Sequence, residues 1–194
     1  RPGETVGVTG PSGVGKSTFL KLLSGYFGSY SGTFALRPCT RVLWLPQKPY
    51  LFKGTLAENI VYPARYDVLD PSDFEALLEP VGLSALKTRL FEEADWINVL
   101  SGGEAQRVVS LRAKRFAPDV LLLDEATSAI DSSAARDFLI QLRRTLPETT
   151  IVFVTHQEAL LDTADRVIRL SHDSLKSDPP AAGRSGNSSA TAFP

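Results

Sequence analysis

The sequence lacks several features that mark whole classes of protein. Among 194 residues there is one cysteine, Cys39, which excludes an internal disulfide framework and a zinc site built on cysteines. The 21 Lys and Arg residues are balanced by 22 Asp and Glu residues, so the chain has no general basic field for coating a nucleic acid. No apolar run approaches the ~20 residues that a membrane-spanning helix needs. We therefore expect a cytosol-facing α/β or α+β domain without a nucleic-acid partner, and a half-buried Cys39.

Methionine is absent altogether, and the chain opens with Arg1-Pro2-Gly3-Glu4, a sequence typical of a turn. These features predict a fragment of a longer polypeptide. At the other end, residues 171–194 are dominated by Ser, Pro, Ala, Gly and Asn. Such a segment has few large apolar groups to offset the entropy of ordering, so we expect a disordered tail there and one folded domain over residues 1–170.

Short β-prone runs alternate with helical segments along the folded part. Val120–Leu123 and Ile151–Val154 are continuous apolar runs, as strands buried on both faces of a parallel sheet require. The segment Ala134–Leu146 has the spacing of an amphipathic helix. This alternation predicts an α/β fold with a mostly parallel sheet flanked by helices. Further strands are predicted at Thr5–Val8, Thr33–Leu36, Arg41–Leu45 and Arg166–Leu170.

The middle of the chain has a different pattern. Between Gln47 and Leu100, prolines separate short helical stretches such as Pro71–Leu78, which predicts a mostly helical insert. At its end, Ser101 and Glu104 have the spacing of a capping box, so a helix is expected to begin there.

A glycine-rich loop follows the first predicted strand and precedes a helix. Its pattern, G-x-x-x-x-G-K-S, is that of the phosphate-binding P-loop, whose glycines let backbone N–H groups turn inward around phosphates. Lys16 is expected to reach the β- and γ-phosphates, and the Ser17 hydroxyl is expected to bind Mg²⁺. The predicted phosphate-binding residues are Gly10, Pro11, Ser12, Gly13, Val14, Gly15, Lys16, Ser17 and Thr18.

An acidic pair, Asp124 and Glu125, comes directly after the apolar run at 120–123. Such a pair is by itself equally typical of a helix cap. Downstream of a P-loop, however, it favours two separate functions. Asp124 at the strand end would bind the metal, and Glu125 would be the base that orients and deprotonates the attacking water.

These motifs occur together with four others in a specific order, and the whole set resembles the ABC-type ATPases. The resemblance runs from Gly3 to about Leu170. The four further motifs are Gln47 of a Q-loop, Leu100-Ser101-Gly102-Gly103-Glu104 with Gln106-Arg107 of a signature motif, Ser128-Ala129-Ile130-Asp131 of a D-loop, and His156 of a switch histidine.

The resemblance implies a P-loop NTPase fold with a helical subdomain at about residues 48–115, and it implies how the domain acts. Two such domains pair head to tail and bury two ATP molecules, each P-loop facing the signature of the other domain. Closure and hydrolysis then drive attached transmembrane domains at the cytosolic face of a membrane. Ser101, Gly102 and Gly103 would contact the opposing γ-phosphate, although Ser101 would serve equally as a plain helix cap.

The resemblance also assigns roles to two polar residues outside the P-loop. His156 would polarise the γ-phosphate or hold the water, and the alternative is an ordinary interior histidine. Gln47 would contact Mg²⁺ and the water, and the alternative is a strand cap. With Lys16 and Glu125, these two residues complete the expected catalytic set, and Ser17, Gln47 and Asp124 complete the expected metal set.

Several less specific sequence segments resemble one branch of the family. Leu45–Leu51 and Gly54-Thr55-Leu56 resemble exporter-type domains. Asp95-Trp96 before the signature, Glu104 within it and Val61-Tyr62-Pro63 resemble half-transporters of the peroxisomal fatty-acyl type and their SbmA/BacA-like bacterial relatives.

The sequence departs from the family pattern at several places. The first strands and the aromatic residue that stacks on adenine would precede Arg1. Leu111 stands in place of a usual alanine, and Lys114 and Arg115 stand where apolar groups are usual. Two cations on a packed helix face would reduce stability unless they extend to water.

Two other functions are compatible with these motifs. One is a non-transport ABC-type ATPase of DNA repair or translation, but the stretch from Gln47 to Ser101 is too short for the coiled-coil insert typical of that class. The other is a module that dimerises on ATP with little hydrolysis. The presence of Glu125 and His156 argues against the second function.

Overall fold

The computed structural model describes residues 1–26, 35–62, 71–128 and 131–171. In chain order the strands are β1 (Thr5–Thr9), β2 (Val42–Leu45), β3 (Lys53–Thr55), β4 (Glu93–Asp95), β5 (Val120–Asp124), β6 (Thr150–Val154) and β7 (Arg166–Arg169). The α-helices are α1 (Lys16–Leu23), α2 (Leu56–Val61), α3 (Pro71–Leu78), α4 (Trp96–Val99), α5 (Gly102–Phe116), α6 (Ser132–Thr145) and α7 (Glu158–Leu161).

Within the described residues, five strands form one parallel sheet in the order β2-β5-β6-β1-β7. Helices cover both of its faces. Leu121 and Leu123 of β5 pack in one apolar cluster with α5 and α6, whereas Leu122 packs with Val8 and Leu20 in a second cluster. Because neighbouring residues of a strand point to opposite faces, a strand covered on both sides must be apolar throughout. The predicted α/β fold with a mostly parallel sheet is confirmed.

The insert between β2 and α5 contains the expected short helices, including Pro71–Leu78, and one feature that was not predicted. Strands β3 and β4 form an antiparallel pair of three residues each. Trp96, which directly follows β4 and is 0% exposed, stabilises this pair. Its indole N–H donates to the carbonyl oxygen of Gly54 in β3 at 2.9 Å. Strands of three residues are too short to produce a recognisable alternation of apolar and polar residues.

Three other expectations differ from the structure or lie outside it. The strand predicted at Thr33–Leu36 is not found at its described positions 35 and 36, and positions 33 and 34 lie outside the described residues. Cys39 is exposed, not half-buried, and lies in a turn with φ 63°. The tail predicted at 171–194 lies outside the described residues from position 172 onward.

Lys114 and Arg115 do not lie on a buried face. Both side chains are exposed in the last turn of α5, where positive charge stabilises a helix by interacting with its unpaired carbonyl groups. The cation that α5 does bury is Arg112, at 4% exposed. Its guanidinium donates to the Asn59 carbonyl oxygen at 2.6 Å and to Asn59 Oδ1 at 3.2 Å, and burial lowers the pKa of Arg112 to about 10.

Candidate ATP-hydrolysis site

The P-loop connects the end of β1 to the start of α1. Two of its glycines occupy positions that a side chain would disturb. A Cβ at Gly10 would collide with the Leu170 carbonyl oxygen, and Gly15 caps α1 with φ 95°, in the left-handed region. Gly10 therefore lets the loop approach the backbone at the end of β7, and Gly15 provides the turn after which the helix begins at Lys16.

Lys16 lies across the loop that precedes it. Its side chain is 6% exposed, and its Nζ donates to the carbonyl oxygens of Gly10 at 2.9 Å and Pro11 at 3.0 Å. The ammonium group is therefore held at the loop without a carboxylate partner among the described residues. A cation in this position is able to bind phosphate oxygens.

Ser17 and Asp124 form the pair expected for a metal. The Ser17 hydroxyl donates to Asp124 Oδ1 at 2.9 Å, although the two residues lie 107 positions apart. Burial raises the pKa of the Asp124 carboxyl above its usual range and the nearby charge of Glu125 adds to this, while the hydrogen bond from Ser17 and the cations Lys21 and Lys16 oppose it. A bound cation would lower this pKa again.

The donor set fits Mg²⁺. Hydroxyl and carboxylate oxygens are its preferred protein ligands, and Mg²⁺ is commonly held by one or two such groups together with phosphate oxygens and waters. Within the described ranges, no cluster of three or more His, Cys, Asp or Glu residues could hold a metal without such help. The site therefore suits a cation that arrives with a nucleotide.

Glu125 and its neighbour Asp124 have different side-chain contacts. The backbone of Glu125 is left-handed, with φ 50°, directly after β5 ends at Asp124. The turn places its carboxylate between two other side chains. Gln47 Nε2 donates to Glu125 Oε2 at 2.9 Å, and His156 Nε2 lies 2.6 Å from Glu125 Oε1. Strained backbone of this kind is concentrated at functional sites.

The parallel sheet explains why residues so distant in sequence meet. The P-loop follows β1, Gln47 follows β2, Glu125 follows β5 and His156 follows β6, so all lie at the carboxyl ends of neighbouring strands. This edge is where open α/β sheets bind their ligands. A cavity of about 380 Å³ lies there, lined in part by Gly10, Pro11 and His156.

The start of α5 is built separately. Ser101 is the N-cap, its hydroxyl accepts from the Glu104 N–H at 3.3 Å, and Glu104 Oε2 accepts from the Ser101 N–H at 2.9 Å. The predicted capping box is confirmed. The Ser101 hydroxyl donates to Glu104 at 2.7 Å and is the main cause of the lowered Glu104 pKa. Among the described residues, no hydrogen bond joins Ser101, Gly102 or Gly103 to the P-loop.

Two polar residues have roles that the motifs did not indicate. Asp131 is the N-cap of α6, and its Oδ1 accepts from the N–H groups of Ser133 and Ala134, each at 3.0 Å. Asn59 connects α2 to Arg112 of α5 in the buried pair described above. The sequence feature that could have indicated this pair is an arginine within the segment Val108–Ala113, whose other residues are apolar or small. Residues 129 and 130 of the predicted D-loop lie outside the described residues.

Comparison with known proteins decides the family. The family model for "ABC transporter" matches residues 1–128, about two thirds of the chain. The chain belongs to the ABC transporter family. This ABC domain is 37% identical over 186 residues to the probable iron export ATP-binding protein FetA of Escherichia coli K12, covering 88% of the chain and 80% of FetA.

Other relatives are much longer than this ABC domain. It is 34% identical to an uncharacterized ABC transporter ATP-binding protein of Haemophilus influenzae, covering 87% of the chain and 28% of that protein. It is 30% identical to the transport/processing ATP-binding protein MesD of Leuconostoc mesenteroides, covering 91% and 26% respectively. A solved bacterial Atm1-family ABC exporter with ATP bound superposes with a TM-score of 0.74 at 27% identity, covering 87% of this chain and 32% of that one.

Proposed function

We propose that this ABC domain binds ATP with Mg²⁺, hydrolyses it, and thereby powers transport across a membrane. The observation that carries the proposal is the Glu125 carboxylate, which lies between Gln47 and His156 beside the Ser17–Asp124 pair. A carboxylate whose two oxygens are each directed by a polar neighbour is suited to orient a water and accept its proton.

The other residues divide the remaining tasks. The P-loop backbone and Lys16 hold the phosphates, and Ser17, Gln47 and Asp124 hold the metal. Because Gln47 donates its amide N–H to Glu125, its amide oxygen is left for the metal or the water. His156 directs the γ-phosphate or the attacking water. When bound, Mg²⁺ would offset the charge that develops on the phosphate oxygens.

The signature residues complete a second site in another copy of the domain. Ser101 and Gly102 are exposed at the N-terminus of the 15-residue helix α5, whose partial positive charge favours an anion. The Ser101 hydroxyl belongs to the capping box of its own helix. Because Ser101 also lies at the exposed helix N-terminus, it would act both as cap and as phosphate contact. A head-to-tail pair would bring each signature to the other P-loop.

Transmembrane domains are the proposed partners, at the cytosolic face of the membrane. FetA is named for iron export, MesD for transport and processing, and the solved neighbour is an exporter. Within the described ranges, no helix combines the length and apolar character needed to cross a bilayer.

We place the domain boundaries at residues 1–170, with the helical subdomain at about 48–115, and the nearest branch among the peroxisomal fatty-acyl and SbmA/BacA-like half-transporters. Two of the residues on which this resemblance rests also have structural roles. Trp96 fastens the β3–β4 pair, and Glu104 closes the capping box of the signature helix. Neither the DNA-repair or translation function nor the little-hydrolysis module has a specific structural feature in its favour.

The test measures phosphate release from ATP by the purified protein across a range of protein concentrations, with Mg²⁺ and with EDTA. We expect no release with EDTA. With Mg²⁺ we expect the turnover per chain to rise with concentration, because each site needs two copies. Turnover that is independent of Mg²⁺ would contradict the metal assignment, and turnover independent of concentration would contradict the shared site.

A further inference from the structure

A second cavity lies away from the P-loop, between α5 and α6. Its volume is about 460 Å³, and residues 80–82 complete its lining. Residues spaced three and four apart on one face of each helix form its walls, including Gly103, Gln106 and Lys114 on α5 and Asp137 and Phe138 on α6. Cavities of this size, mostly apolar with a few polar groups, are typical of small-molecule sites.

The α5 wall contains polar groups that the protein itself leaves unpaired. Gln106 is 6% exposed, and neither its amide nitrogen nor its amide oxygen has a hydrogen-bond partner among the described residues. The Nε of the adjacent Arg107 is likewise buried without a partner. Native proteins rarely leave such groups unpaired, and a ligand, ion or water is the usual explanation.

The charges of the cavity favour an anion. Arg107 and Lys114 both line it, and neither forms an ion pair with a described residue. The opposing α6 wall contributes a single carboxylate, Asp137. Between these charges lie apolar side chains, among them Leu111 and Phe138. A ligand that matches this lining has an apolar body with a negatively charged group at one side.

We propose that this cavity binds a small amphipathic organic anion. The anionic group lies at the wall formed by Gln106, Arg107 and Lys114, and the apolar body lies against Leu111 and Phe138. Because Gly103 lines the same cavity, the ligand contacts the helix that carries the signature sequence. The cavity does not include the P-loop, and Gly103 is the residue that it shares with the expected contacts to the opposing γ-phosphate.

The test uses two fluorescent probes of nearly the same shape. One is 8-anilino-1-naphthalenesulfonate, which is anionic, and the other is N-phenyl-1-naphthylamine, which lacks the sulfonate. Binding of each is titrated on the wild-type protein and on Lys114→Glu and Arg115→Glu. The two variants make the same charge change in the same exposed helix turn, but of these two residues only Lys114 lines the cavity.

We expect Lys114→Glu to weaken the anionic probe by about tenfold or more, since it reverses a charge beside the sulfonate. Arg115→Glu should change its affinity by less than about threefold, because that charge is screened by water. The neutral probe should bind more weakly and respond to neither variant. Ala134→Phe, which fills the cavity from an exposed position on α6, should abolish binding of both probes.

Three results would overturn the proposal. The first is equal weakening of the anionic probe by Lys114→Glu and Arg115→Glu, which would indicate a general charge effect. The second is unchanged binding in Ala134→Phe. The third is displacement of the probe by ATP with Mg²⁺, which would place it in the nucleotide site.

Discussion

The two halves of the predicted ATP site are built in different ways. At the carboxyl edge of the sheet, side chains from four neighbouring strand ends bind one another across the fold, as in the bonds from Ser17 to Asp124 and from Gln47 to Glu125. At the start of α5, every bond of the capping box joins Ser101 to Glu104, three residues away. The first half depends on the whole domain, and the second depends on one helix turn.

The difference indicates where each half finds its substrate. The sheet edge already brings the Ser17–Asp124 pair, the Glu125 carboxylate and Lys16 together within a single chain. The helix start offers exposed N–H groups and a partial positive charge, but no described contact with the P-loop. A helix start that has no described hydrogen bond to the P-loop of its own chain is suited to meet a ligand held by another copy.

The largest effect is expected at the base. Glu125→Gln should slow ATP turnover by roughly 10²–10⁴-fold, because the amide cannot accept the proton of the attacking water. ATP affinity should stay near the wild-type value. The ATP-bound dimer should accumulate, because hydrolysis is the step that allows the two copies to separate. Turnover, affinity and dimer fraction are measured together, and near wild-type turnover would place the base elsewhere.

Asp124→Asn is the matched comparison, since it neutralises the adjacent carboxylate. Asp124 accepts a hydrogen bond from Ser17, the other proposed metal ligand, so this variant should lose Mg²⁺-dependent ATP binding as well as turnover. If both variants lose only binding, the two carboxylates share one structural role and the division between them is wrong.

Lys16→Ala should weaken nucleotide binding on the order of 10²-fold, because the variant loses two charge-assisted hydrogen bonds to phosphate. The loop should keep its shape, because its turns depend on Gly10 and Gly15. Calorimetric titration with a non-hydrolysable ATP analogue measures the loss. Normal affinity would refute the assignment of the P-loop as the phosphate site.

Ser101→Arg tests the other half of the comparison. The bulky cation should block approach of the opposing γ-phosphate and prevent the ATP-dependent dimer, while the affinity of a single chain for ATP stays unchanged. Light scattering in the Glu125→Gln background detects the dimer. A dimer that forms normally would leave Ser101 with only its cap function.

The smallest effect concerns the cap itself. The bond from the Ser101 hydroxyl lowers the pKa of Glu104 below its ordinary value of 4.5, so the ionised carboxylate stabilises the folded state above that pH. That stabilisation is lost as the pH falls through the lowered pKa. Glu104→Gln should therefore cost less than about 1 kcal/mol of unfolding free energy near pH 7, and progressively less as the pH falls through the lowered pKa of Glu104. Urea unfolding over a series of pH values from neutral to acidic measures the difference.

Much of this architecture could be predicted from the sequence because its signals are local. The P-loop pattern, the buried apolar strands and the Ser101–Glu104 spacing each depend on neighbouring residues. The position of Asp124 and Glu125 after an apolar strand and downstream of a P-loop also predicted separate roles for the two carboxylates. The left-handed backbone at Glu125, with φ 50°, was not predicted from these signals.

What could not be predicted depends on contacts between distant residues. The β3–β4 pair is only three residues long on each side, and its fastening by Trp96 joins positions 42 residues apart. The exposure of Lys114 and Arg115 follows from how α5 is oriented in the fold, which its spacing alone left open. The cavity between α5 and α6 is likewise a property of how two helices pack.

The place of β1 in the sheet also bears on how the chain is made. β1 is synthesised well before its two neighbours in the sheet, because it lies between β6 and β7, with Thr5 opposite Ile151 and Val6 opposite Arg166. Contacts between such distant positions form late and slowly. Until β6 and β7 have been synthesised, the strand that carries the P-loop has no neighbour on either side, so a nascent chain has two open edges to protect and no finished nucleotide site. The proposed nucleotide site can therefore be completed only after β6 and β7 have been synthesised.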